Sequence, residues 1–194
     1  MTSRSLLAAL SLIAAAGIAA AQDAPAPPPG IADQVALCAT CHGEDGRPVL
    51  ENAPIIWGQE YFYTLTQLRD YHAGRRTSEI MQPIVAELNR DQMKALAEYF
   101  SKLPWPNLPY SASPEAVSIA QQMATSGQCS QCHLGSYLGN SSVPRMAGQK
   151  LVYLEETMLA FKNAERKNSP EMVALMRGFP DEQIAAMAEF LAGL

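Results

Sequence analysis

Apolar residues recur with helical spacing near the end of each half of the chain. Two sets of four stand at positions i, i+3, i+4 and i+7: Met93, Leu96, Ala97 and Phe100, then Ile184, Met187, Ala188 and Leu191. This spacing places each set on one face of an amphipathic helix. Asn89 followed by Gln92 is typical of a capping box, which predicts where the first of these two helices begins.

The polar and apolar pattern predicts two further helices in each half. Residues 59–73 and 149–163 are expected to form a middle helix, and residues 31–41 and 115–128 a first helix. No segment shows the sustained alternation of apolar and polar residues, bounded by hairpin turns, that predicts paired strands. The predicted fold class is therefore all-α.

Four blocks of sequence occur twice, 90 or 91 positions apart, which indicates an internal repeat. The matching segments are Cys38-Ala-Thr-Cys41-His42 with Cys129-Ser-Gln-Cys132-His133, the Pro54–Tyr63 segment with the Pro144–Tyr153 segment, Met81 with Met172, and residues 96–100 with residues 187–191. Four blocks in register are very unlikely by chance. The chain is therefore expected to be two tandem copies of one small domain.

A proline-rich stretch separates the two copies. Prolines at 104, 106 and 109 exclude a continuous helix there. We predict an N-terminal domain at 22–103, a linker at 104–111 and a C-terminal domain at 112–194. Each copy has about 80 residues, and a domain of that size buries only a marginal core unaided. We therefore expect a disulfide, a metal or a large cofactor to complete each copy.

Composition and charge narrow the functional class. The 194 residues include 14 Lys and Arg against 19 Asp and Glu, which gives a formal net charge of −5. This balance argues against a nucleic-acid-binding protein, which usually presents a basic face. The mean hydropathy of −0.06 excludes a polytopic membrane protein and a disordered tail.

The N-terminus predicts a cleaved secretory signal peptide over residues 1–21. Arg4 precedes an apolar stretch, and three alanines at 19–21 are typical of a cleavage site. The alternative is an uncleaved anchor, but the apolar stretch ends within about the 18 residues that a membrane-spanning helix needs. We therefore expect export to the periplasm, an oxidising compartment in which free cysteines become oxidised unless another group claims them.

Both copies contain the motif C-x-x-C-H, the covalent attachment signature of c-type haem. Its two thiols add to the haem vinyl groups, and the adjacent histidine is the proximal iron ligand. The candidate residues are Cys38, Cys41 and His42 in the first copy, and Cys129, Cys132 and His133 in the second. A four-thiolate zinc site does not require these histidines, a thioredoxin-like pair needs a βαβ context, and ordinary disulfides explain neither histidine nor repeat. Two haem c groups are predicted.

The sixth ligand of each iron is predicted to be a methionine. Met81 and Met172 each follow the second cysteine of their motif by 40 residues, and they alone among the methionines appear in both copies. A thioether ligand raises the reduction potential and suits electron transfer. Met146 and Met176 remain competitors in the second copy, whereas the lone His72 has no counterpart there.

Several other repeated residues are candidates for supporting contacts. A proximal imidazole normally donates its second N–H to a carbonyl, and a proline follows each histidine by 12 or 11 residues. Glycines at the repeated Gly-Gln either allow close approach to the porphyrin or form a plain helix-start turn. The candidates are Pro54 and Pro144, Gly58 and Gly148, and, for the haem propionates, Tyr63, Tyr153, Arg76 and Lys167.

These motifs together resemble class I cytochromes c, and more closely the di-haem cytochrome c4 type. The resemblance rests on the two CxxCH motifs, the P-x-x-x-GQ-x-x-x-Y segments and the run 73–81, and it extends over residues 22–194. It implies two helical haem domains packed face to face, His/Met ligation and electron transfer between the haems. The second copy departs from the pattern with Leu134 after its motif and with an arginine shifted by one against Arg76.

The predicted function is that of a periplasmic electron carrier with no catalytic residues. It would accept single electrons from a dehydrogenase or quinol-oxidising complex and pass them to a terminal oxidase or another reductase. One alternative is a dedicated di-haem subunit of a flavoprotein that oxidises sulfide, or of another periplasmic dehydrogenase complex. A haem enzyme is a third hypothesis, but it requires an open or unusual sixth position, against which the matched methionines argue.

Overall fold

The computed structural model describes residues 24–194, and the predicted signal peptide at 1–21 lies outside them. Within this part of the chain, helices are joined by loops, and the only β pairing is an isolated bridge between Asn140 and Val143. The all-α prediction is confirmed. Among residues 24–194, no helix combines the length and apolar character needed to cross a membrane.

The helices fall into two successive groups. After a 3₁₀ turn at Pro29–Ile31, the first group comprises α1 (Ala32–His42), α2 (Tyr61–His72), α3 (Met81–Ala86) and α4 (Arg90–Ser101). The second group comprises α5 (Pro114–Ser126), α6 (Cys129–His133), α7 (Leu151–Lys162), α8 (Pro170–Met176) and α9 (Asp181–Ala192). The short helices α3 and α8, which begin at or just before the matched methionines, were not predicted because six or seven residues carry too little periodicity.

The predicted capping box is present at the start of α4. The Asn89 side chain accepts hydrogen bonds from the backbone N–H groups of Asp91 and Gln92 at 3.0 and 2.9 Å. The Gln92 side chain accepts one in return from the Asn89 N–H at 3.0 Å. These bonds satisfy backbone donors that have no partner inside the helix.

In the second copy the first helix, α5, ends at Ser126, close to the predicted end at 128, and the cysteine motif follows on a separate helix. Gly127 caps α5, and Gln128 adopts the left-handed conformation with φ 52° and ψ 34°. Glycine has low helix propensity, and no glycine stands at the matching place in α1, which continues to His42. The motif of the second copy therefore lies on its own short helix.

Each group of helices has its own hydrophobic cluster. In the first group α2 packs against α3 and α4, and in the second α9 packs against α5 and α7. The eight residues of the two predicted apolar faces are at most 5% exposed. The apolar face of the last helix in each copy is thus buried in its core, as the periodicity predicted.

The two halves meet through a pair of matching glutamines. Gln59 donates to the Arg145 carbonyl at 3.0 Å and accepts from the Arg145 N–H at 2.8 Å. Gln149 makes the same two bonds to Ile55, at 3.0 and 2.7 Å. Because Ile55 and Arg145 are themselves 90 positions apart, the contacts are reciprocal, as across an approximate two-fold axis.

Candidate functional site

The four cysteines form no disulfide with one another and are arranged as two separate pairs. Cys38 packs against the hydrophobic cluster of the first half and Cys129 against that of the second, so the four thiols do not converge on one point. Burial raises the pKa of the Cys38 thiol to about 11 and also raises the pKa of Cys129. Zinc sites and redox dithiols both need easily ionised thiols, and this environment disfavours them.

His42 is buried at the end of α1, with its ring fixed by one hydrogen bond. Its Nδ1 lies 2.8 Å from the carbonyl oxygen of Pro54. A carbonyl can only accept, so Nδ1 carries the hydrogen and Nε2 presents a lone pair. Burial lowers the pKa of His42, against the opposing effect of the Pro54 bond. The ring is thus held neutral and oriented, the state in which imidazole binds a metal.

His133 has the corresponding arrangement on α6, with a longer bond. Its Nδ1 lies 3.4 Å from the carbonyl oxygen of Pro144, beyond the usual range for such bonds. Burial lowers the pKa of His133 as well. The structure therefore brings both predicted prolines to their histidines, with the second contact weaker than the first.

Two cavities lie beside these histidines. The first, of about 340 Å³, is lined by Cys41, His42, Pro54 and Met81. The second, of about 320 Å³, extends along the junction of the two halves and is lined on both sides. The candidate residues that line it are Cys38, His42 and Met81 from the first half, and His133, Met146 and Met172 from the second. The histidine and methionine of each copy therefore face a common space, and Met146 shares it.

Two buried arginines connect the halves next to these cavities. Arg76 donates to the hydroxyl of Tyr153 at 3.1 Å, and Arg166 donates to that of Tyr63 at 3.2 Å. Lys167, which was predicted beside Arg76 as a propionate-binding residue, is exposed, and Arg166 occupies the matching place. The 90-residue offset of the tyrosines, applied to Arg76, would have identified Arg166.

Both guanidinium groups lack a counter-charge within the described chain. Arg76 and Arg166 are 9% and 8% exposed, and neither forms an ion pair with any residue of 24–194. The Nη1 atom of Arg166 is buried and, within the same residues, has no hydrogen-bond partner. Buried charges are strongly unfavourable unless paired, so this region requires an anion.

The positive charges of Arg76 and Arg166 also affect the pKa of Tyr153. Burial raises its pKa, but the attraction of Arg76 and Arg166 outweighs this effect and lowers the pKa to about 7. Haem carries two propionate carboxylates, which provide the anionic partners that the arginines lack. Together with the paired thiols, the neutral imidazoles and the facing thioethers, the residues present fit haem c.

The structure places Gly58 and Gly148 against the linker instead of in the cavities described above. Both have positive φ, 66° and 71°. A Cβ on Gly58 would lie 3.1 Å from the Leu103 carbonyl and the Trp105 nitrogen, and one on Gly148 would lie 3.2 Å from the Trp105 ring nitrogen. Their N–H groups bond the carbonyls of Phe100 and Leu191, both at 2.8 Å. Of the two predicted roles, the geometry favours the turn at the start of the middle helix.

Comparison with known proteins agrees with this chemistry. Residues 31–104 match the cytochrome c family. A thiosulfate dehydrogenase electron acceptor from Stutzerimonas stutzeri (strain A1501) is 32% identical over 81% of this chain and 78% of its own length. Cytochrome c4 from Thiocapsa roseopersicina is 31% identical over 91% of this chain and 96% of its own length.

A solved structure shows the same architecture. The crystal structure of reduced recombinant cytochrome c4 from Pseudomonas stutzeri matches with a TM-score of 0.75 and 25% identity, over 84% of this chain and 95% of that one. These likenesses confirm the resemblance drawn from the sequence, with two covalently attached haem c groups and electron transfer in place of catalysis. The chain belongs to the di-haem cytochrome c4 family, as two tandem class I cytochrome c domains.

Proposed function

We propose that one histidine and one methionine of each copy are the axial ligands of its haem iron: His42 with Met81, and His133 with Met172. The observation that carries this assignment is the neutral imidazole of His42, which the Pro54 carbonyl holds in one orientation. His42 and Met81 line the same cavity. The second copy supports it with the matching pair beside the second cavity.

The other site residues have supporting tasks in this proposal. When bound, haem supplies a one-electron cycle between ferric and ferrous iron, in which no bond is broken. Cys38, Cys41, Cys129 and Cys132 attach the two porphyrins as thioethers. The carbonyls of Pro54 and Pro144 hold the imidazoles in one orientation. Arg76 and Arg166, bonded to Tyr153 and Tyr63, neutralise propionates and close the junction between the halves.

The protein is an electron carrier, and we further infer that it works in the periplasm after removal of residues 1–21. Exposed apolar side chains flank both attachment motifs: Leu37 is 49% exposed beside Cys38, and Leu134 is 41% exposed beside His133. Such positions suit brief contact with redox partners, namely a dehydrogenase or quinol-oxidising donor complex and a terminal oxidase or reductase as acceptor.

A second candidate function is that of a dedicated acceptor for one dehydrogenase. The Stutzerimonas stutzeri relative is a thiosulfate dehydrogenase electron acceptor, which favours a sulfur-compound dehydrogenase as the donor. A stable subunit would co-purify with its enzyme from a native extract at high salt, whereas a shuttle would purify alone and be reduced by more than one donor.

Spectroscopic redox titration of the holoprotein tests the ligand assignment. We expect two haems per chain and a methionine-to-iron charge-transfer band from each in the oxidised protein. Met81→Ala should abolish the contribution of the first haem and Met172→Ala that of the second, because each removes one thioether ligand. Loss of both contributions in a single variant, or of neither, would refute the pairing.

Met146→Ala is the matched control, because Met146 is half-buried and lines the same cavity as Met172. We expect it to leave both contributions to the band intact. If Met146→Ala removes the second haem's contribution and Met172→Ala does not, Met146 is the ligand and the proposal for Met172 fails.

A further inference from the structure

The junction between the halves contains three pairs of polar side chains that are related by an approximate two-fold symmetry. The matched pairs are Gln59 with Gln149, Tyr63 with Tyr153, and Arg76 with Arg166. In each pair the side chain reaches into the opposite half. A symmetric junction of this kind would present each haem with the same surroundings.

The symmetry is broken at Gln67 on α2. The residue 90 positions later is Thr157, whose shorter side chain lies beside Tyr153. Gln67 Oε1 accepts three hydrogen bonds, from Arg76 Nη1 at 3.0 Å, Arg166 Nη2 at 2.9 Å and Asn168 Nδ2 at 2.9 Å. One carbonyl oxygen thus serves donors from both halves.

This arrangement holds two like charges close together. Because both guanidinium groups bond to the same oxygen, the two donating nitrogens are at most about 6 Å apart. Asp70, the nearest carboxylate in the network, is already bonded to Arg75 at 2.8 Å and to Asn168 at 2.7 Å. Among residues 24–194, the repulsion between Arg76 and Arg166 is therefore opposed where they meet by a neutral acceptor, the amide oxygen of Gln67.

A fixed positive cluster affects haem chemistry in one direction. Reduction removes one positive charge from the iron, so a nearby cation favours the reduced form and raises the reduction potential. Arg166 lines both cavities, as does Arg76. A change in the position of either guanidinium therefore changes the electrostatic potential in both cavities.

We propose that Gln67 is a positioning residue that holds Arg76 and Arg166 together as one positive cluster between the two haems, and so raises both reduction potentials. The inference rests on the proposed function, because it takes the two cavities to be the haem sites. Without the shared acceptor, repulsion moves the two guanidinium groups apart and weakens their field at both irons.

The test compares Gln67→Leu, which keeps the approximate volume and removes the acceptor, with Gln122→Leu, the same substitution at an exposed glutamine of α5 that lines neither cavity. Both are made in the full holoprotein and titrated against mediators of known potential. We expect Gln67→Leu to shift the redox equilibrium of both haems toward the oxidised form by at least threefold, where tenfold corresponds to about 59 mV for one electron. Gln122→Leu should leave both redox equilibria unchanged.

A double-mutant cycle separates positioning from a general loss of stability. In an Arg166→Met background, Gln67→Leu should shift both potentials by much less than in the wild type, because one of the two charges it positions is gone. Equal shifts in both backgrounds, a shift of one haem alone, or no shift would overturn the proposal.

The haem count and the methionine-to-iron band of each variant keep this outcome distinct from that of the proposed function. A wild type without two haems, or without the expected ligand band, refutes the haem assignment itself. Two intact haems with potentials insensitive to Gln67 refute only the positioning role.

Discussion

Gly58 shows at the scale of one residue how the repeated Gly-Gln motif serves the fold. Its positive φ of 66° costs little for glycine and about 1–2 kcal/mol for other residues. A Cβ added to Gly58 would also lie only 3.1 Å from the Leu103 carbonyl oxygen and the Trp105 backbone nitrogen, which is too close for a relaxed contact. The positive φ and the close approach to Leu103 and Trp105 are therefore two separate reasons why this position requires glycine.

Gly58→Ala should therefore lower the free energy of unfolding by more than the backbone conformation alone explains. Gly74→Ala is the control, because Gly74 has a similar φ of 69° with no atom within 4 Å of an added Cβ. We expect about 1 kcal/mol for Gly74→Ala and at least about 2 kcal/mol for Gly58→Ala, measured by urea unfolding of the holoprotein. Equal losses would show that the close approach to the linker costs nothing, and a shifted haem spectrum in Gly58→Ala alone would favour a contact with the porphyrin.

Residues whose chemistry is local were predictable from the sequence, and those defined by the junction were not. The CxxCH motifs carry their own chemistry, and the prolines follow at a spacing that brings their carbonyls to the histidine rings. Gln67 gave no such signal, because its three donors come from two segments far apart in the chain, one of them in the other copy. A repeat predicts what two copies share, whereas Gln67 is a position at which they differ.

At the scale of elements, the start of α4 depends on its capping box. Asn89→Ala removes the acceptor for two backbone N–H groups and should lower the free energy of unfolding by about 1 kcal/mol. Asn89→Asp keeps the acceptor and adds a charge that is favourable at a helix N-terminus, so it should match the wild type. Urea unfolding measures both, and equal losses in the two variants would show that the cap contributes nothing.

The elements that carry the second attachment motif were the hardest to predict. Gln128 and Leu134, on either side of α6, have φ values of 52° and 65°, which residues other than glycine rarely adopt. The helical spacing of apolar residues gives no information about these backbone conformations, so it could not predict them. Residues in sparsely populated conformations persist where the surrounding structure determines them, and here they flank the short helix on which the cysteines and histidine lie.

At the scale of the whole molecule, the two halves are joined by buried polar contacts as well as by the covalent linker. Gln59 and Gln149 are 5% and 3% exposed, and each satisfies one N–H and one carbonyl of the opposite half. The side chain of Arg145 also lies over the Trp105 ring, with 4.3 Å from guanidinium carbon to ring centroid. Trp105, a residue of the linker, is thereby packed into the junction between the two halves.

Loss of one glutamine should therefore loosen the junction out of proportion to its size. Gln149→Leu has similar volume but leaves the N–H and carbonyl of Ile55 buried without partners, and we expect it to cost about 2 kcal/mol in urea unfolding. Gln122→Leu, on the exposed face of α5, is the control and should cost less than about 0.5 kcal/mol.

The double variant Gln59→Leu/Gln149→Leu extends this test from stability to shape. With both reciprocal contacts removed, each half keeps its own hydrophobic cluster and its own haem, so the visible spectrum should persist while the halves separate. Small-angle X-ray scattering should then show a larger radius of gyration than in the wild type. An unchanged radius, with both haems intact, would mean that Arg76, Arg166 and the bound propionates hold the junction closed without the glutamines.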